Sequence, residues 1–122
     1  MLYAILCYHD EAVVEGWTKE QDDAVLAHRI AVQERIAAQG RLGPVARLMP
    51  TTAATTLRAG PEPLVLDGPF AETKEQLLGF YVVECASLEQ AIETARELKG
   101  DETGGAFEIR PLRLFRPGDV AA

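Results

Sequence analysis

The chain has 122 residues, 48% of them apolar and 25% charged, with a formal charge of −7 at neutral pH. That length leaves room for one domain over residues 1–122, with a core that needs no disulfide or metal staple. The charge balance argues against a nucleic-acid or anionic-membrane partner, since both demand a clustered basic face and the twelve Lys and Arg are scattered among nineteen acids.

Leu2 to Tyr8 is an apolar run ended by His9-Asp10-Glu11. It is too short and lacks the basic flank of a signal peptide, and its apolar residues on both faces predict a central strand. Thr18 with Gln21 has the spacing of a capping box and opens a long helix. Val25, His28, Val32 and Ile36 recur on one face of that helix, Leu26 and Ile30 widen the stripe, and Gly40 supplies the stop. A return strand is expected at Arg41 to Arg47.

Ala53 to Leu66 reads as two short strands around a turn at Ala59-Gly60-Pro61-Glu62. Asp67 then precedes Gly68-Pro69, a turn in which an aspartate can hold backbone N–H groups. Phe70 is expected to tuck into the core, and Thr73 to Leu78 to form a helical turn. Gly79 to Cys85 is a strand rich in aromatic and β-branched residues. Ser87 opens a second helix with Gln90 three positions on, its buried stripe Leu88, Ala91, Ile92, Ala95 and Leu98, and Gly100 closes it. A final strand runs from about Phe107 to Phe115, with Pro111 marking an edge position or a bulge.

The order is strand, helix, strand, hairpin, strand, helix, strand. It predicts an α+β fold: a ferredoxin-like antiparallel sheet with two helices on one face and an inserted β-hairpin. Both sheet faces are apolar and only two helices are available, so the second face is expected to bury against a second copy of the chain, with Val83 facing outward. No membrane-length apolar run interrupts the pattern. Cys7 and Cys85 sit in strand-like runs as buried thiols of a reducing, cytoplasmic compartment.

The nine residues Asp67-Gly68-Pro69-Phe70-Ala71-Glu72-Thr73-Lys74-Glu75 match the motif of DGPF-type proteins, and the chain resembles the YCII-related family. The resemblance continues through Ala54-Thr55-Thr56-Leu57-Arg58 upstream and through Gly79-Phe80-Tyr81 and Glu108-Ile109-Arg110-Pro111 downstream. It implies a homodimeric α+β barrel, in which two ferredoxin-like sheets pack face to face. Proteins of that architecture include muconolactone-isomerase-like enzymes and a dehydrochlorinase of a chlorinated hydroxyquinol. The resemblance also implies a His–Asp pair in a cleft, carried here by His28 and Asp67. DGPF-type members are often encoded beside extracytoplasmic-function sigma factors, and for most of them no reaction is known.

The residues themselves leave bland alternatives open. His28 is a core histidine or a general acid/base, and Asp67 a turn residue or the catalytic carboxylate. Phe70, Tyr81 and Arg110 are candidate ligand contacts, with Arg110 either pairing with a carboxylate or holding an anion. Trp17 lines a pocket or belongs to the core. His9 with Asp10 and Glu11 reads as a solvated strand end rather than a metal site. No phosphate loop and no metal-ligand spacing is present, so no cofactor is called for. Two function classes remain: a cofactor-free isomerase- or lyase-type enzyme acting at a cleft near the DGPF loop, and a non-catalytic ligand-binding or regulatory protein.

Overall fold

A computed structural model describes residues 1–121. The chain runs β1 (Leu2–Asp10), α1 (Glu11–Glu15), α2 (Lys19–Ala38), β2 (Leu42–Arg47), β3 (Thr55–Arg58), β4 (Leu64–Asp67), β5 (Glu75–Glu84), α3 (Leu88–Lys99) and β6 (Ala106–Pro111), with a 3-10 turn at Thr51–Ala53. Four strands form one sheet in the order β2-β5-β1-β6, every neighbour antiparallel, and β3-β4 form a separate hairpin. This is the ferredoxin-like α+β arrangement, with β1 central as its two apolar faces require. β6 is an edge strand, so the missing N–H of Pro111 costs the sheet nothing.

The helix ends follow the sequence closely. The Thr18 hydroxyl accepts from the Gln21 backbone N–H at 3.1 Å, and the Gln21 side chain accepts from the Thr18 N–H at 2.9 Å. At the far end Gly40 takes a φ of +71°, the left-handed residue that stops α2. Ser87 caps α3 by accepting from the Gln90 N–H at 3.1 Å.

The core lies between the sheet and α2 with α3. Tyr3, Ile5, Cys7, Tyr81 and Val83 point from the central strands into Val32, Ile36, Ala91, Ala95 and Leu98. On α3 the small Ala91 and Ala95 face the sheet and let the helix approach it closely, which rotates Leu88 and Ile92 outward; they are 48% and 38% exposed. Thr94 is buried in the stripe instead. It is tolerated because its hydroxyl donates to the Gln90 carbonyl at 2.8 Å and accepts from Arg41 at 2.9 Å.

Several local expectations are corrected. Val83 does not face outward: it is wholly buried, paired with Tyr3 on the helix side, and the opposite face carries Ala4, Leu6, Phe80 and Val82. Glu75 to Leu78 extend β5 rather than forming a helical turn, because Tyr8, His9 and Asp10 offer them ladder partners. The strand end at Asp10 is itself a helix cap: its carboxylate accepts from the Ala12 N–H at 2.9 Å and starts α1. Phe70 is 76% exposed, since its loop follows the outlying hairpin and not the core layer.

Candidate functional site

The helix α2 packs on the sheet only over its second half. Val32 and Ile36 near its C-terminal end are sealed, while Val25, Leu26 and Ile30 before them stand above a cavity of about 300 Å³. The floor of that cavity is the C-terminal end of β1 and the start of β5, with Cys7, His9, Gly79 and Tyr81, and α1 and the following turn close it with Val14 and Trp17. The β1–β5 register shifts between Cys7 and Tyr8, a bulge that skips Leu78 of β5 beside the cavity. Gly79 permits the close approach of β2: a Cβ there would stand 2.6 Å from the Ala46 carbonyl oxygen.

One charged pair crosses the inner wall. Arg29 of α2 donates to the Glu102 carboxylate at 2.6 Å, with side-chain exposures of 19% and 10%. Its guanidinium carbon stands 5.2 Å from the centre of the Phe107 ring, and Nη1 lies 3.5 Å from the Tyr81 hydroxyl. Nε is buried with no hydrogen-bond partner among the described residues. Burial works against the charge of Arg29, but the hydrogen bond to Glu102 and the neighbouring Tyr81 outweigh it and push its pKa above the ordinary value. Burial likewise raises Tyr81, with Arg29 opposing, and pushes the Cys7 thiol up to about 11, again against Arg29. Cys7 is therefore an inert thiol at neutral pH.

Glu102 belongs to the loop between α3 and β6. This loop and the first half of α2 enclose a second, more open cavity of about 710 Å³, lined by Gln21, His28 and residues 99–104. Both cavities share His9, Trp17, Val25 and Glu102. The His9 and Trp17 rings meet edge to face with centroids 5.8 Å apart, and the His9 Nδ1 is buried without a partner among the described residues. Gly105 is fixed by this contact. Its φ is +81°, and a Cβ would lie 2.5 Å from the Tyr8 carbonyl oxygen and 2.9 Å from the His9 ring.

The structure distributes the residues that sequence reasoning singled out. Tyr81 lines the first cavity and His28 the second. His28 does not point to the sheet; it is exposed, and its Nε2 donates to the Glu97 carbonyl at 2.7 Å, clamping α2 to the last turn of α3. Asp67 ends β4 opposite Thr55 on the hairpin, exposed, and no residue of Asp67–Glu75 lines either cavity. The turn after Asp67 is held by backbone and threonine instead: the Gly68 N–H donates to the Ala54 carbonyl at 2.7 Å and Thr56 donates to the Gly68 carbonyl at 2.7 Å. Arg110 lies on β6 opposite Ala4, on the sheet face away from the helices. His28 and Asp67 thus share neither of these cavities.

Sequence reasoning missed Arg29 and Glu102 and read His9 as a strand end. A signal for Arg29 was present: it falls on the helical stripe between Val25 and Val32, where an unpaired charge would be costly. Glu102 gave none, since its position depends on how the loop folds back.

Fold and site together define a ferredoxin-like α+β protein with a polar-edged apolar cleft between one helix and its sheet. A model of the YCII-related domain matches residues 1–116, and the chain belongs to that family. It is also similar to an uncharacterized protein of Rhizobium meliloti (strain 1021), 55% identical over 122 residues and covering 98% of each chain. No helix among the described residues is long and apolar enough to cross a membrane.

Proposed function

We propose that this chain is a small-molecule-binding YCII-related protein of the DGPF type whose ligand occupies the first cavity. The carrying observation is the cavity itself: about 300 Å³, apolar over most of its wall, with His9 and the linked group of Arg29, Tyr81 and Glu102 in its lining. Concave apolar sites with a few convergent polar groups and perturbed titratable residues are the usual form of a ligand site. Trp17, the single tryptophan, lines the cavity and reports on it. In a screen of small apolar molecules, a binder raises the melting temperature with its concentration and alters Trp17 fluorescence. A screen in which every stabilising compound perturbs residues away from Trp17 and Tyr81 in NMR spectra counts against the reading.

The partly buried His9 favours a catalytic version. His9 lines the cavity, and its buried Nδ1 has no partner among the described residues, so no structural hydrogen bond fixes the tautomer that a general acid/base at this position would use. In that version the protein is a cofactor-free isomerase- or lyase-type enzyme, and His9→Gln keeps ligand binding while abolishing turnover.

The open sheet face supports a homodimer of the α+β barrel type. Leu2, Ala4, Leu6 and Phe80 remain only half-buried there although they belong to central strands. Light scattering should give about twice the 13.3 kDa chain mass, and Leu6→Lys should halve it. The free thiols of Cys7 and Cys85 favour a reducing compartment such as the cytoplasm.

A further inference from the structure

Resting on the reading that the first cavity holds the ligand, we propose that the ligand is a small apolar monocarboxylate, and that its carboxylate takes the Arg29 guanidinium over from Glu102. A guanidinium offers five N–H donors in a planar fork. Arg29 uses one of them at a short distance, on Glu102, and one at 3.5 Å, on Tyr81, while its Nε–H is buried with no partner among the described residues. A cation so enclosed and so incompletely engaged is short of acceptors, and an incoming carboxylate can take two parallel N–H bonds where Glu102 makes one.

Glu102 is placed to yield. It lines both cavities, so its side chain has the second one, about 710 Å³ and more open, to move into. Its loop starts at Gly100 and ends at Gly105, both at positive φ. In the free protein Glu102 neutralises Arg29 and holds the fork in position; in the complex the ligand does so, and the charge of the inner wall is unchanged.

The same count sets the ligand class. A single guanidinium balances one negative charge, and a dianion such as a phosphate monoester would leave excess charge against Cys7, Trp17 and Tyr81 in a poorly solvated wall. The rest of the ligand meets Val14, Trp17, Leu26 and Ile30, which select an apolar or aromatic body.

The test titrates phenylacetate and its neutral isostere phenylacetamide into the full-length protein, following Trp17 fluorescence and the Arg29 Nε–H resonance. Phenylacetate should bind about tenfold or more tighter than the amide and shift the Nε–H resonance. Glu102→Gln removes the internal competitor and should tighten phenylacetate several-fold while leaving the amide unchanged. Arg29→Lys, which keeps the charge but not the fork, should lose most of the acid preference. An amide that binds as well as the acid, or a Glu102→Gln variant that binds the acid more weakly, overturns the carboxylate inference and leaves the cavity reading standing. Failure of both probes to bind the wild-type protein overturns both.

Discussion

The two halves of α2 are built from the same kinds of residue and do opposite things. Val32 and Ile36 in the second half are each 2% exposed, pressed against Ile5, Val83 and α3. Leu26 in the first half and Ile30 just past the middle are 37% and 47% exposed above the cavity. Helical periodicity treats all four as one stripe. The divergence comes from what lies beneath: the second half meets a filled layer of strand side chains, whereas the first half meets a bulged strand end, a glycine at position 79 and a charged pair. A cavity of this kind arises by withholding packing over two helical turns, so the apolar residues above it are lining and not core.

The largest expected effect tests the sealed half. Ile36→Ala should cost about 2–5 kcal/mol in urea unfolding, the range for deleting a fully buried aliphatic side chain. A loss under about 1 kcal/mol would mean that α2 is loosely packed along its whole length.

The next concerns the cavity floor. The pKa of Cys7 is raised in the folded state from its ordinary value of 9.0 to about 11, so the thiol ionises in the unfolded chain first. Stability conferred by the buried neutral thiol is full below pH 9 and is lost as pH rises from 9 towards 11, by something on the order of 2 kcal/mol. Denaturation at pH 7 and pH 10.5 should show a smaller loss for Cys7→Ala than for the wild type. Equal losses would mean that the floor is wetter than its burial indicates.

Smaller still is Leu26→Ala on the lifted half. It should cost less than about 1 kcal/mol of stability, yet weaken any cavity ligand that quenches Trp17. A stability loss matching that of Ile36→Ala would erase the contrast between the two halves. The smallest effect belongs to the hairpin: Asp67→Asn should change stability by no more than about 0.5 kcal/mol and leave cavity binding intact, because Asp67 is exposed and its turn is held by Ala54 and Thr56. A large loss of binding would show that the hairpin reaches a ligand by a route other than these two cavities.

What could be read in the chain itself was local and periodic. Thr18 with Gln21, Ser87 with Gln90, and Gly40 marked helix ends because caps are satisfied within a few residues. The double-sided apolar runs at β1 and β5 identified central strands, and the order of elements gave the α+β layer plan. Which face each side chain takes was less secure. Val83 and Phe70 were misplaced, because strand facing depends on the pairing register and loop burial on where the hairpin lies.

The amino-acid order alone determined the helices α2 and α3, the run of strands and the acidic charge. Tertiary structure alone decided the candidate site. Arg29 and Glu102 stand 73 positions apart in the chain, and His9 and Trp17 meet only because α1 turns the chain back. A motif is written in consecutive residues and so survives in sequence. A cavity is made by elements that diverge and by charges that meet across them, and neither has a signature until the chain has folded.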